Sequence, residues 1–410
     1  MAAKEGRPGP LDGVRVIDFT NVVAGPYAAM ILADQGADVI KIEGPRRRDF
    51  ARGAGEGASQ LNSVFLNNNR NKRSLSVDAT TDAGREILLR LAATADVFVQ
   101  NYRPGVMTRL GIDEPAVRAA SPKIVYVSMS GFGETGPFAH KPVYDPLIQA
   151  LSGLTTVQAG SDDARPKLIR TILPDKLTGM TAAQAISSAL LARERTGEGQ
   201  HVRLSMLDSV VAFMWSSDMG EQTFLDREVS AQAAATIIDL IYDTKTGYIT
   251  ISTMTNDQWA GFCRAAGRED LIADPRFRSA GARHRNADER LDLIQDVLLT
   301  RTADDWLEAL DAEGVPCAPV LTRSQAVEHP QLQASGILVE SEHAHAGRLR
   351  QARNAAVFEG APMRIRHGAP LLGEHTAEVL RELGYAESQV EGFVEAGVVS
   401  VTRDQADHDP

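Results

Sequence analysis

The chain has few cysteines, few aromatic residues and no long apolar segment. Its 410 residues include only two cysteines, Cys263 and Cys317, and aromatic residues make up 5%. Two distant cysteines give neither a disulfide framework nor a zinc-binding spacing, so we expect no metal site and a reducing, cytoplasmic location. No apolar run approaches the ~20 residues of a membrane span. The N-terminal MAAKEGRPGP lacks the apolar core of a signal peptide.

The chain also lacks net positive charge, because 54 Asp and Glu outnumber 43 Lys and Arg and give a net charge of −11. Such a chain repels nucleic acid and anionic membranes unless basic residues gather locally, so we expect neither as a partner. Basic residues do gather in residues 41–110, where twelve Lys or Arg stand against seven Asp or Glu. This excess is equally typical of a solvated face and of a site for a ligand that carries several phosphates.

Apolar strands alternate with helices through the first half of the chain. The predicted strands cover residues 14–19, 38–43, 96–100, 123–128 and 201–206, and the predicted helices cover residues 25–36, 81–94, 176–195 and 207–220. A strand, a helix and a strand within ~30 residues form a βαβ unit. Repeated units of this kind predict an α/β fold with a parallel, doubly wound, Rossmann-like sheet.

The pattern changes near residue 220. The second half is predicted to hold a hairpin around Lys245–Gly247 and helices at 257–266, 287–299, 302–313 and 374–384. We therefore divide the chain into a large domain over residues 1–220, a smaller α+β domain over residues 225–330, and a return segment over residues 331–410. The last helix of the return segment is expected to dock on the large domain.

Two loops at strand ends are candidates for ligand binding. The first βα turn, Asn21–Pro26, precedes a helix N-terminus that suits a phosphate, and Glu43 ends the next strand, where dinucleotide folds place a ribose-binding acid. However, the G-x-G-x-x-G fingerprint is absent. The second loop, Gly131–Pro137, is rich in glycine and follows a strand end, where open α/β sheets bind ligands. Taken alone, each loop is more typical of a plain connection.

Asp175 directly precedes the helix predicted at residues 176–195 and follows Pro174. Asp is a favoured N-cap residue, so a capping role is the more common interpretation of this position. A carboxylate at a helix N-terminus also tends to keep its negative charge. Because nucleophilic attack on an acyl group needs an ionised, positioned carboxylate, capping and catalysis are compatible at Asp175.

Several long motifs occur in an order that indicates a family. They are PLDGVRVIDFTNVVAGPYAAMILADQGADVIKIE (10–43), NKRSLSVD (71–78), ADVFVQNYRPGVMTRLG (95–111), SMSGFGETGP (128–137), DKLTGM (175–180), RTGEGQHVRLSMLD (195–208), GVPCAPV (314–320) and APLLGEHT (369–376). With these motifs the chain resembles the class III CoA-transferases, the group that contains formyl-CoA and carnitine CoA-transferases. The α-methylacyl-CoA racemases are close relatives of that group.

The resemblance implies an enzyme that moves CoA from an acyl-CoA to a carboxylic acid through a covalent intermediate on Asp175. It implies that CoA and acyl-CoA are substrates, with no permanently bound cofactor, and that two subunits form an interlocked homodimer. The positions that would contact CoA by resemblance, together with Phe132 of the glycine-rich loop, are Val22, Val23, Ala24, Arg46, Asn101, Tyr102, Arg109, Leu110 and Phe132.

Two of the chain's departures from the family pattern concern phosphate contacts. Thr80 stands where the family often has a lysine, which leaves one phosphate contact open. Gly44 and Pro45 displace the arginine expected directly after Glu43, so Arg46 or a neighbouring arginine would take its place.

Two alternatives to transfer remain, an acyl-CoA racemase or isomerase and a catalytically silent CoA-binding protein. The related racemases carry a His-Asp pair after the glycine-rich loop, and the matching pair here is Tyr144-Asp145. At neutral pH a phenol is a much poorer base than an imidazole, so the sequence favours transfer.

Overall fold

The computed structural model describes residues 9–53, 61–227, 240–361 and 363–402. The chain divides into two compact units, a large unit of residues 1–219 and 337–410 and a small unit of residues 220–336.

The first part of the large unit alternates strands and helices. Its elements are β1 (Arg15–Phe19), α1 (Ala24–Asp34), β2 (Asp38–Glu43), α2 (Ser63–Asn69), β3 (Lys72–Val77), α3 (Asp82–Ala92), β4 (Val97–Gln100), α4 (Val106–Leu110), α5 (Glu114–Ala120), β5 (Val125–Ser130), α6 (Asp145–Ser152), α7 (Leu154–Ala159), α8 (Leu173–Thr196), β6 (His201–Ser205) and α9 (Met206–Trp215).

The small unit contains a three-stranded antiparallel sheet and several helices. Its elements are α10 (Gly220–Thr223), β7 (Ile241–Thr244), β8 (Gly247–Ile251), α11 (Asn256–Ala265), α12 (Ala280–Arg285), α13 (Ala287–Leu298), α14 (Ala303–Ala312), β9 (Cys317–Pro319), α15 (Arg323–Glu328) and α16 (Pro330–Ser335). The predicted hairpin is present as β7 and β8. Trp259 and Trp306 are fully buried in the core of this unit, and the indole N–H groups donate to backbone carbonyl oxygens.

The chain then returns to the large unit through β10 (Leu338–His343), β11 (Gly347–Ala352), α17 (Thr376–Glu382), α18 (Glu387–Glu395) and β12 (Val399–Ser400). The start of α17 is bonded to β3, since Ser74 O accepts from His375 N at 3.0 Å and Thr376 Oγ1 accepts from Ser76 N at 3.0 Å. The short strand β12 pairs antiparallel with β3.

The main sheet has seven strands in the order β12-β3-β2-β1-β4-β5-β6. All strands from β3 to β6 in this order are parallel. The predicted Rossmann-like sheet is therefore confirmed, and the order reverses between β1 and β4. In open α/β sheets, a ligand crevice lies beyond the carboxyl ends of the strands at such a reversal.

Both faces of this sheet are covered, because successive side chains of a strand point to opposite faces. Ile17 packs in one core with the helices α3 and α17, whereas its neighbour Val16 packs in the other core with α1 and α8. Strand β3 was not predicted. One of its faces carries buried Lys72, Ser74 and Ser76, and the other carries buried Leu75 and Val77, so polar residues interrupt any apolar run that would mark a strand.

Candidate active site

A cavity of about 370 Å³ opens at the reversal point of the sheet. The turn after β1 and the segment after β4 line one part of it, and the glycine-rich loop with the first turn of α8 lines another. Of the predicted site residues, the cavity brings together six at its lining: Val22, Ala24, Asn101, Tyr102, Phe132 and Asp175. Residues separated by about half of the large unit's sequence thus meet at one site.

The turn between β1 and α1 is held in an unusual conformation. Val22 has a φ of 71°, and a β-branched residue at positive φ is strained. The Asn101 side chain pairs with both backbone groups of Asn21, accepting from its N–H at 2.9 Å and donating to its carbonyl oxygen at 2.8 Å. The end of β4 therefore fixes the turn that follows β1.

Asp175 is the third residue of α8, and Ile172 occupies the N-cap position. The predicted capping role of Asp175 is therefore wrong. Proline is well tolerated in the first turn of a helix, so α8 begins before Pro174 instead of after it. The carboxylate is thereby free to face the cavity.

Close contact between α8 and α1 positions this carboxylate. A Cβ atom on Gly179 would lie 2.7 Å from the carbonyl oxygen of Ala24, so only glycine allows the two helices to approach this closely. The backbone of Ala24 also lies near enough to the Asp175 carboxylate to lower its pKa.

The electrostatic surroundings of Asp175 also differ from the expectation. Burial and the neighbouring charge of Asp145 raise the pKa of Asp175 to about 6, against the lowering effect of the hydrogen bond from Ala24. The sequence suggested that the helix N-terminus would keep the pKa of Asp175 low, and this expectation is wrong. The group remains mostly ionised at pH 7 and is poorly stabilised there, which suits a nucleophile.

Asp145 lies behind Asp175 and is 4% exposed. One of its carboxylate oxygens accepts from Gln149 Nε2 at 2.6 Å, and the other accepts from the backbone N–H of Asp175 at 3.4 Å. Burial raises the pKa of Asp145 as well. Tyr144, which precedes it, is 74% exposed and lines the cavity.

Two cations that the sequence analysis did not assign to the site also line the cavity, Arg103 and Lys141. Among the described residues of the lining, Asp175 is the single carboxylate. Lys141 Nζ stands 4.2 Å from the centre of the Phe138 ring. The position of Lys141 just after the glycine-rich loop was the available sequence signal. An anionic ligand would meet two positive charges here.

Much of the basic excess in residues 41–110 serves another purpose. Three ion pairs lie fully buried beneath the first turn and form what we call the ion-pair layer: Lys41–Asp49, Arg52–Glu43 and Lys72–Asp18, with N–O distances of 2.7–2.8 Å. Arg70 is likewise buried against Asp34. These residues belong neither to a solvated face nor to a phosphate site, the two interpretations that the sequence left open, because their charges are neutralised inside the protein.

Glu43, a candidate ribose-binding acid from the sequence, belongs to the ion-pair layer. Its carboxylate accepts from Arg52 and from the backbone N–H of Asp49, and the side chain is 1% exposed. It is therefore not available to bind a ribose. In addition, the N–H of Gly133 donates to Ser130 Oγ at 3.0 Å, so this donor of the glycine-rich loop is already occupied.

No group of three or more His, Cys, Asp or Glu side chains in the described ranges is arranged to hold a metal ion. Within the same ranges, no helix combines the length and the apolar character needed to cross a membrane.

Residues 11–376 match CoA-transferase family III. The chain belongs to this family. It is 33% identical to succinyl-CoA:glutarate CoA-transferase of Mus musculus over 95% of this chain and 90% of that protein. It is 32% identical to acetyl-CoA:oxalate CoA-transferase of Acetobacter aceti over 93% of this chain and 97% of that protein.

Solved structures agree with this assignment. Rv3272 of Mycobacterium tuberculosis superposes with a TM-score of 0.80 at 32% identity, covering 91% of this chain and 99% of that one. A CAIB/BAIF family protein of Brucella suis gives a TM-score of 0.79 at 30% identity, covering 92% of this chain and 100% of that one. The family prediction is confirmed. The chain is an enzyme of a family that uses CoA thioesters as substrates.

Four predicted CoA contacts of this family III enzyme lie outside the cavity lining. Val23 is buried at the N-cap of α1, and Leu110 packs partly buried against the core on the α3 face of the sheet. Arg46 and Arg109 are exposed, and neither forms an ion pair with a carboxylate of the described ranges. These four assignments stay predictions, with the two arginines open to a phosphate.

Proposed function

We propose that this family III enzyme transfers CoA from an acyl-CoA donor to a carboxylic acid through a covalent acyl intermediate on Asp175. The observation that carries the proposal is the position of the Asp175 carboxylate. It lines the cavity at the reversal point of the sheet, close to the start of α1, and has its pKa raised to about 6 by burial and by Asp145.

The exchange can be written as four balanced steps. The Asp175 carboxylate attacks the thioester carbonyl, which gives an acyl-aspartyl anhydride and releases the CoA thiolate. The thiolate then attacks the aspartyl carbonyl, which forms an aspartyl-CoA thioester and releases the donor acid. The acceptor carboxylate displaces CoA to form a new anhydride. Finally, the thiolate attacks the acceptor acyl carbonyl and regenerates the Asp175 carboxylate.

The cavity contributes to these steps by proximity and charge. Holding the released thiolate beside the anhydride makes the return step intramolecular, an effect worth up to ~7–11 kcal/mol in ideal cases. Arg103 and Lys141 would attract the carboxylate of the acceptor. Burial keeps Asp175 poorly solvated, so its conversion to a neutral anhydride relieves the electrostatic cost of the buried charge.

We also propose a dicarboxylic acid as one partner in the exchange. The two cations in the lining support this proposal, since one carboxylate would react while the other pairs with Arg103 or Lys141. Relatives of this chain are named for succinate, glutarate and oxalate. A panel of mono- and dicarboxylic acceptors with succinyl-CoA and acetyl-CoA donors tests this choice. Equal rates for butyrate and succinate would contradict it.

An assay of three activities separates transfer from the alternatives. We expect CoA exchange between acids, no loss of α-deuterium from a 2-methylacyl-CoA, and loss of exchange in Asp175→Ala with CoA binding retained. Asp82→Ala is a matched control, because Asp82 also lies in the first turn of a helix but is exposed. Deuterium loss without exchange would indicate a racemase, and CoA binding without either activity would indicate a silent binding protein.

The interlocked homodimer also stays a prediction. Apolar side chains on α8 and α9, including Met180, Leu191 and Phe213, are about half exposed in the single chain, which supports association. Elution at the monomer mass in gel filtration would contradict it.

A further inference from the structure

The strained turn after β1 depends on one buried carboxylate, that of Asp49. Asp49 Oδ1 accepts the backbone N–H of Val22 at 3.0 Å and that of Ala51 at 2.9 Å. Asp49 Oδ2 accepts from Lys41 Nζ at 2.8 Å. The side chain is 0% exposed, so its hydrogen bonds are made without competition from water.

Lys41 fixes the orientation of Asp49 and contacts the turn itself. Its ammonium group, fully buried at the middle of β2, donates to Asp49 and also to the carbonyl oxygen of Thr20 at 3.0 Å. Glu43, at the end of the same strand, accepts the backbone N–H of Asp49 at 2.9 Å. Strand β2 therefore holds Asp49 at both its backbone and its side chain.

The conformation of Val22 needs such a restraint. At a φ of 71° a β-branched residue is strained, and such strain persists where surrounding contacts enforce it. Val22 is 36% exposed and lines the cavity, so its conformation is part of the wall that faces Asp175. The turn also leads directly to Ala24, which lines the cavity with Asp175 and whose backbone lowers the pKa of that carboxyl.

We infer that Asp49 is a positioning residue that holds Val22 in the left-handed conformation and thereby shapes the CoA-facing wall of the cavity. Asp49 does not line the cavity, and its direct contact with the turn is the hydrogen bond from the backbone N–H of Val22. This inference rests on the proposed function for the identity of the ligand. The restraint on the turn itself can be measured without any ligand.

Two substitutions of Asp49 separate positioning from stability. Asp49→Asn keeps an acceptor oxygen for the N–H of Val22 but loses the ion pair with Lys41, whereas Asp49→Ala loses both. We expect both variants to be less stable than the unaltered enzyme. Only Asp49→Ala should weaken CoA binding, on the order of 10–100-fold in calorimetry, since small misplacements in a site can have effects of this size.

Asp34→Ala serves as the matched control. Asp34 forms a buried ion pair with Arg70, at the far end of α1 from the turn, and is 4% exposed. We expect it to lower stability as Asp49→Ala does while CoA affinity stays within about threefold of the unaltered enzyme. An equal loss of affinity in Asp34→Ala and Asp49→Ala would assign the effect to general destabilisation and overturn the inference.

A double substitution tests the role of strain directly. Glycine adopts positive φ freely, so in a Val22→Gly background the turn needs less restraint and Asp49→Ala should cost less than half as much in log affinity. If the two losses simply add, Asp49 does not act through Val22, and the inference is wrong.

Amide hydrogen exchange keeps the inference separate from the proposed function. We expect the N–H of Val22 to exchange at least tenfold faster in Asp49→Ala than in Asp49→Asn, with no ligand present. Equal exchange rates would overturn the positioning role even if CoA binds. Absence of CoA binding to the unaltered enzyme, with the exchange difference intact, would instead contradict the proposed function. If Asp49→Ala fails to fold, Asp49→Asn alone tests the inference. Loss of protection at the N–H of Val22, or loss of CoA affinity, in Asp49→Asn would then contradict the inference.

Discussion

Carboxylates in the cavity and in the ion-pair layer lie in the same unit and are all at least partly buried, but neighbouring charges shift their pKa values in opposite directions. Asp175 has its pKa raised to about 6, because burial is reinforced by the charge of Asp145. Burial would also raise the pKa of Asp49, but the charge and hydrogen bond of Lys41 outweigh it, and the pKa is lowered. The same holds for Asp18 with Lys72. A cation in contact decides whether a buried carboxylate stabilises the fold or is held ready to react.

The largest expected difference between the two regions is in activity. Asp175→Ala should reduce the transfer rate on the order of 10⁴–10⁶-fold, because it removes the nucleophile. Asp34→Ala, which removes a carboxylate that is buried and paired with Arg70 in the same way as those of the ion-pair layer, should retain transfer as long as the variant folds. Steady-state rates at saturating substrates measure both. Similar losses in the two variants would remove the functional distinction.

Stability should respond with opposite signs in the two regions. Asp18→Asn leaves Lys72 buried without its charged partner, so the free energy of unfolding should fall by about 3–5 kcal/mol. Asp175→Asn removes a buried charge close to Asp145, so the free energy of unfolding at pH 7 should rise by about 0.5–2 kcal/mol. Urea unfolding followed by circular dichroism measures both. A loss of stability in Asp175→Asn would contradict the view that the ionised Asp175 carboxylate destabilises the folded enzyme.

Substrate affinity gives a smaller difference. Lys141→Ala should raise the KM for the acid about tenfold and change kcat little, because a charge-assisted contact of ~1.5–3 kcal/mol is lost. Lys123→Ala is the matched control, since Lys123 is exposed and does not line the cavity. Equal KM values for the two variants would remove Lys141 from the site.

The pH dependence should show the smallest change. The reaction needs ionised Asp175, so kcat should fall as pH drops through about 6. Asp145→Asn removes the neighbouring charge, and this acid limb should move to lower pH. For stability the sign is reversed. Because the pKa of Asp175 is raised in the folded state, its ionisation destabilises the fold. The free energy of unfolding should therefore fall as the pH rises from about 4, the ordinary pKa of the carboxyl, to about 6, and should be regained as the pH drops through the same range. An acid limb unchanged in Asp145→Asn would show that Asp145 does not perturb Asp175.

The sequence was sufficient to predict the parts of the fold that follow simple patterns. Strand β2 was predicted at its observed bounds, Asp38–Glu43, because its apolar residues form a clear buried run. The family motifs predicted that Asn101 and Asp175 contact the same ligand, and both residues line the cavity. Strand β3 was missed because three of its buried side chains are polar, and Lys72 meets its charged partner Asp18 only in the folded chain.

The rest of the site depends on three-dimensional contacts that no local pattern carries. Lys41 belongs to the basic segment of residues 41–110, and its partner Asp49 becomes its neighbour only through the loop that follows β2. The raised pKa of Asp175 depends on its burial and on the charge of Asp145, thirty positions earlier in the chain and brought close by α6 and α8. The positive φ of Val22 had no sequence signal, since valine is not typical of that conformation.

The central claim is that the side chain of Asp175 becomes acylated. The most direct test incubates the enzyme with an acyl-CoA, adds hydroxylamine, and identifies the modified peptide by mass spectrometry. Hydroxylamine converts an activated aspartyl carbonyl to a hydroxamate, so we expect this modification at Asp175, dependent on the acyl-CoA and absent in Asp175→Ala. An active enzyme that transfers CoA but carries no hydroxamate at Asp175, or carries it at another residue, would contradict the account.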